Sequence, residues 1–108
     1  MDAIKQTDRN SRKQMDLVAL LKANAVILDV RTNHEYIGGH IEGAINIPFE
    51  DLDLFCDEIN SWDAPVLVCC TIGLKSEKAV RLLRLCGVEA YDAGAWRTLE
   101  DIKQVFNV

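Results

Sequence analysis

The stretch Val66-Leu67-Val68-Cys69-Cys70-Thr71-Ile72-Gly73-Leu74-Lys75-Ser76 joins a short apolar run and a cysteine pair to a glycine-containing turn. A helical pattern follows from Ser76 to Cys86. An apolar run of this length, bounded by turn residues, reads as a buried strand over 66–69. The helix expected over 76–86 buries Ala79, Leu82, Leu83 and Cys86 and exposes Lys78, Arg81 and Arg84, with Gly87 as its stop. Cys70 therefore stands where a buried strand hands over to a helix. The N–H groups of such a turn have no intrahelical acceptor, and the helix dipole adds partial positive charge. A cysteine placed there is expected to be held as thiolate, its nucleophilic form.

The same alternation extends in both directions. Val26–Val30 is apolar enough to be buried on both faces, as a parallel sheet covered by helices requires. Ala44–Ile47, closed by Pro48, reads as a short strand, and Val88–Tyr91 as a last one. Between them, Leu52, Phe55, Cys56 and Ile59 have the spacing of an amphipathic helix over 50–59, with acidic residues in its first turn. Ser11 is a suitable cap for a helix over 12–23, stopped at Asn24, and a terminal helix is expected around Trp96–Val105. Residues 31–43 read as a polar connection with one helical turn around Glu35-Tyr36-Ile37. Residues 1–10 are polar, so Ala3-Ile4-Lys5 is either a short leading strand or part of a loose terminus. Strands alternating with helices imply an α/β fold, a mostly parallel sheet with helices on both faces and right-handed crossovers.

Composition bounds what this fold can be used for. The chain has 108 residues, which suits a single domain over 1–108 with its own core. A net charge of -5 argues against nucleic acid as a partner, because phosphate contacts need a basic face. Any anionic substrate must then be captured by local donors. No apolar stretch approaches the roughly 18 residues of a membrane span. Met1 to Lys13 lacks the apolar segment of a secretory signal, so a cytoplasmic location is expected. The four cysteines, Cys56, Cys69, Cys70 and Cys86, have no zinc-type spacing, and reduced thiols are expected throughout. No metal or cofactor is implied.

Open α/β sheets bind ligands beyond the carboxyl ends of their strands, where Asp29–Arg31, Cys70 and the segment after Tyr91 all fall. Three groups of residues there form a pattern. The first is Leu28-Asp29-Val30-Arg31. The second is Glu35-Tyr36 followed by Gly38-Gly39-His40-Ile41, Gly43-Ala44 and Asn46-Ile47-Pro48. The third is Cys70 with Gly73 and Lys75-Ser76, completed by Gly94-Ala95-Trp96. In these motifs the chain resembles the rhodanese family, in its single-domain sulfurtransferase form, from about Val26 to Trp96. The resemblance implies a three-layer rhodanese-like fold and transfer of sulfane sulfur. Cys70 would take the outer sulfur of thiosulfate or a similar small anionic donor and become a persulfide. A thiol, cyanide or a protein would then remove that sulfur. Thr71, Ile72, Gly73, Leu74, Lys75 and Ser76 would form the substrate loop, with Arg31 as a further anion-attracting residue.

The residue chemistry agrees with this reading. A persulfide is anionic, and inward N–H donors along 71–76 stabilise an anion. Lys75 stands where many family members have arginine, and it supplies a point charge without a planar fork. Ala95 replaces a glycine common before the tryptophan, with little consequence expected. Counting from Cys69 instead of Cys70 gives the loop length of phosphatases related to this fold, but without the arginine that a phosphoryl group requires. A phosphatase- or arsenate-reductase-like enzyme and a non-catalytic interaction module are the rival readings. Cys56, Cys69 and Cys86 read as structural. His40 reads as a loop-fixing residue, His34 as solvent-facing, Asp29–Arg31 as an ion pair and Trp96 as a packing anchor.

Overall fold

The computed structural model describes residues 2–108, with side chains from Arg12 onward. The elements are α1 Asp2–Lys22, β1 Val26–Asp29, α2 Asn33–Ile37 and β2 Ile45–Asn46. A 3₁₀ helix Phe49–Phe55, α3 Cys56–Ser61, β3 Val66–Cys70, α4 Leu74–Leu85, β4 Ala90–Ala95 and α5 Trp96–Phe106 complete the order. All four strands are parallel, in the order β2-β1-β3-β4. The expected α/β architecture with helices on both faces is the one observed.

Burial on both faces is the reason β1 and β3 sit centrally. Leu28, Val66, Val68 and Cys70 point into one core, closed by Leu52, Ile59, Ala79 and Leu83 from the 3₁₀ helix, α3 and α4. Ile27, Leu67 and Cys69 point into the other, closed by Leu17, Val18, Leu99 and Ile102 from α1 and α5. Leu28, Leu52, Leu83 and Leu99 are fully buried, and each such side chain contributes roughly 1.5–3 kcal/mol. No helix among the described residues is long and apolar enough to cross a membrane.

Several boundaries depart from expectation for identifiable reasons. The first helix begins at Asp2, so Ala3–Lys5 is helical and not a strand, and Ser11 lies inside the helix instead of capping it. The segment expected as one helix over 50–59 divides into a 3₁₀ and an α section. Three residues per turn align Phe49, Leu52 and Phe55 on one side, where all three meet the same core. The last strand starts two residues late, because the Val88 N–H closes the end of α4 on the Leu83 carbonyl at 3.0 Å. It then runs on through Asp92 and Gly94 to Ala95, with a bulge where Val68 pairs Asp92 and Cys69 pairs Gly94. Strands are depleted in Asp and Gly, which is why the sequence pattern stops at Tyr91.

Cys56 and Cys86, expected as reduced thiols, are joined as a disulfide with Cα atoms 6.1 Å apart. It ties the start of α3 to the end of α4, across 30 residues of chain. Replacing both cysteines by alanine is expected to lower the unfolding free energy by about 2–4 kcal/mol, chiefly by freeing the unfolded chain. Urea denaturation of the oxidised protein beside the double variant measures this.

Candidate functional site

β3 ends at Cys70, and the chain reverses into α4 within Thr71, Ile72 and Gly73. Gly73 makes this possible with a left-handed φ of 93°, so the helix starts at Leu74 and not at Ser76. A side chain at Gly73 would sit 3.7 Å from the Cα of Gly94, whose own φ is +73°. The space is ordinary, and the demand for glycine comes from the backbone angle. The turn aims two N–H groups at the cysteine sulfur, Gly73 at 3.0 Å and Ser76 at 3.3 Å.

Ser76 is buried and anchors this arrangement from below. Its hydroxyl bonds the Gly73 carbonyl at 3.1 Å and the Asp92 carboxylate at 2.8 Å. The same Asp92 oxygen accepts the Gly94 N–H at 2.8 Å. Asp92 thereby couples the bulge of β4 to the cysteine turn. Nothing in the sequence singles it out, since its partners lie 16 residues away and in its own bulge.

Cys69 faces away from this turn, into the opposite core, and is fully buried. Burial, followed by the charge of Asp29, pushes its thiol well above the ordinary range. Cys70 lines a cavity of about 190 Å³ together with Arg31, Glu35, Thr71, Ile72, Leu74 and Lys75. Of the residues expected at the site, Thr71 bonds Glu35 at 3.2 Å through its hydroxyl. Ile72 and Leu74 are exposed at the rim. The Lys75 ammonium lies 3.6 Å from the Glu50 carboxylate, with both side chains well exposed.

Arg31 lines the same cavity, but its guanidinium is committed. Nε and Nη2 grip Asp29 at 2.8–3.1 Å, and Nη2 also donates to the Gly39 carbonyl at 2.7 Å. Nη1 donates to the Glu35 carbonyl at 3.4 Å, and the group stacks 4.6 Å above the Trp96 ring. Burial opposes its charge, but the hydrogen bonds and charge of Asp29 outweigh this and hold the guanidinium above its ordinary value. His40 donates its Nδ1–H to the Tyr36 carbonyl, 2.7 Å away, and stacks on the Tyr36 ring. It takes the loop-fixing position expected of it.

Glu35 is the rim residue whose place could have been anticipated. Thr32-x-x-Glu35 is a capping box: the Thr32 hydroxyl accepts the Glu35 N–H, and the Glu35 carboxylate accepts the Thr32 N–H at 3.2 Å. That backbone bond, then the Thr32 hydroxyl, holds the carboxylate below its usual range.

Residues 13–99 match the model of the rhodanese-like domain. The chain belongs to the rhodanese-like domain family. A Bacillus subtilis (strain 168) protein, YqhL, is 41% identical over 63 residues, covering 58% of this chain and 49% of that protein. The thiosulfate sulfurtransferase GlpE of Pseudomonas fluorescens (strain SBW25) is 35% identical over 85 residues, covering 74% of this chain and 77% of GlpE. A rhodanese-related protein from Thermoplasma volcanium superposes with a TM-score of 0.69 at 31% identity, covering 82% of this chain and 87% of that one. This rhodanese-like domain spans half the length or less of most curated relatives it matches.

The partition of the cysteines gives a direct expectation. A short pulse of iodoacetamide at neutral pH labels Cys70, which opens into the cavity, and spares Cys69 and the disulfide-bonded pair. Peptide mapping reads the result, and label on Cys69 would contradict the assigned faces. Arg31→Ala, which strands the buried Asp29 carboxylate, is expected to cost about 3–5 kcal/mol by chemical denaturation.

Proposed function

We propose that this rhodanese-like domain, acting as one unit over 1–108, is a sulfurtransferase in which Cys70 carries the transferred sulfur as a persulfide. The observation that carries this reading is the pair of N–H donors from Gly73 and Ser76 aimed at the Cys70 sulfur on the floor of the cavity. Fixed backbone donors stabilise a negatively charged sulfur without reorganising during reaction. The Cys70 thiolate attacks the outer sulfur of thiosulfate, a Cys70–sulfur bond forms, the sulfur–sulfur bond of the donor breaks, and sulfite leaves with the electron pair. An acceptor such as cyanide or a thiolate then attacks the outer sulfur and regenerates the Cys70 thiolate. Thr71, Ile72, Leu74, Lys75 and Arg31 border the space in which donor and acceptor alternate.

The phosphatase-like alternative counts its loop from Cys69. Against it stand the burial of Cys69 in the opposite core and the absence of an arginine from residues 70–76. The names of GlpE and of other sulfurtransferases among the relatives support the sulfur chemistry.

Incubation with thiosulfate is expected to add the mass of one sulfur atom to the peptide bearing Cys70, read by mass spectrometry. Cys70→Ser abolishes thiosulfate-to-cyanide transfer, because serine cannot hold a persulfide, whereas Cys69→Ser keeps most of the activity. A dead Cys69 variant beside a working Cys70 variant would overturn this assignment and place the chemistry on Cys69. Lys75→Ala is expected to raise KM for thiosulfate more than it lowers kcat, and Lys75→Arg to match the parent protein. An unchanged KM in the alanine variant would mean that backbone donors alone hold the donor.

A further inference from the structure

The rim of the Cys70 cavity is poorly suited to a small dianion. Arg31, one of the two cations that line it, is paired with Asp29 at 2.8 Å. The other, Lys75, is paired with Glu50 at 3.6 Å. Glu35 adds a further carboxylate, and no salt bridge among the described residues neutralises it. Its position is fixed, because the Thr32 N–H and the Thr32 and Thr71 hydroxyls hold both carboxylate oxygens. Those bonds keep it ionised below the usual carboxylate range. Each cation of the lining is thus paired by a carboxylate outside it, Asp29 buried beneath Arg31 and Glu50 beside Lys75, while Glu35, the carboxylate of the lining itself, has no salt-bridge partner among the described residues. Around them Ile72 is 72% exposed and Leu74 64% exposed, giving the entrance an apolar lip. The chain as a whole carries -5, which adds no attraction for an anion.

We propose that Glu35 and Glu50 are specificity-determining residues that favour sulfur delivered as a persulfide held beside a positive charge, and disfavour multiply charged anionic donors. The inference rests on the reading of Cys70 as the sulfur-accepting residue. In this transfer the Cys70 thiolate attacks the outer sulfur of R–S–SH. A new sulfur–sulfur bond forms at Cys70, the donor's own sulfur–sulfur bond breaks, and R–S⁻ leaves with the electron pair. The proton stays on the transferred sulfur or passes to solvent, and no oxidant or reductant is consumed. A cationic group on R meets Glu35 or the outer face of Glu50, while its aliphatic part lies against Ile72 and Leu74. Both a small aminothiol and a cysteine in a basic peptide have this chemistry.

The persulfides of 2-aminoethanethiol and 3-mercaptopropionate are close in size and opposite in end-group charge. The second-order rate constant for loading Cys70 is measured with each, by mass spectrometry of the Cys70 peptide. At low ionic strength the cationic donor is expected to be faster by about five-fold or more, the scale of one charge pair at contact distance in water. Added salt shrinks that ratio. Glu35→Gln shrinks it too while preserving the capping box, since glutamine serves there as well as glutamate, and Glu50→Gln acts in the same direction. A persulfide peptide with lysines beside its cysteine, compared with the 2-aminoethanethiol persulfide, tells a macromolecular source from a small one by which loads faster. Equal rates for the two small donors, a faster anionic donor, or a ratio indifferent to salt and to both substitutions would overturn the inference while leaving the persulfide reading intact. Failure of every donor, thiosulfate included, to load Cys70 would remove both.

Discussion

The buried Arg31 guanidinium binds together the end of β1, the loop that follows it and the start of α5. It holds the Asp29 carboxylate at the end of β1, the carbonyls of Glu35 and Gly39 in the following loop, and the Trp96 ring at the start of α5. Burying a charge is tolerable only when it is paired and its donors are satisfied, and here Asp29 supplies the charge while the loop carbonyls supply the acceptors. The loop between β1 and β2 is therefore shaped around a fixed ion. Removing that ion would leave Asp29 charged in an apolar core and the loop without its template. The role read for Arg31 in attracting substrate is subordinate to this one, because its nitrogens are already engaged.

Through that loop the ion pair also determines what surrounds the cysteine. Holding the Glu35 backbone brings its carboxylate across to the Thr71 hydroxyl, so α2 and the turn after β3 meet at the cavity mouth. The cysteine turn is braced from the other side by Ser76 and Asp92. Between these supports, positive φ angles at Gly73 and Gly94 let two stretches of backbone pack closely. Few side chains are left to address a ligand. The donors at the sulfur belong to the backbone, and the charges at the rim are offset or negative. In the proposed function such a site would activate sulfur by geometry, and in the proposed specificity it would sort donors by the electrostatics of its entrance.

This arrangement separates two requirements that a positively charged pocket would merge. In the proposed transfer, the N–H pair at Cys70 would stabilise an anionic sulfur there, whichever donor brought it. In the proposed selection, Glu35 at the mouth and Glu50 beside Lys75 would act earlier, on the approach of the whole donor molecule, and their influence would be screened by salt. In this reading activation and selection rest on different atoms.

The sequence by itself determined the order of strands and helices, the parallel sheet and the strand-to-helix junction at Cys70. Each follows from local signals: apolar runs at 26–30 and 66–69, helical spacing after Ser76, and turn residues at Gly73 and Gly87. The tertiary structure alone decided the rest. The sides taken by Cys69 and Cys70 depend on strand register against two cores, and the Cys56–Cys86 disulfide depends on two helix ends meeting in space. Asp92 is legible only through the bulge that places it under Ser76, and Glu50 only through the packing that brings it to Lys75. The physical reason is common to all of them. Propensity and periodicity act over a few neighbouring residues, whereas a buried register, a paired charge or a bridged thiol is chosen by groups that the chain brings together from far apart.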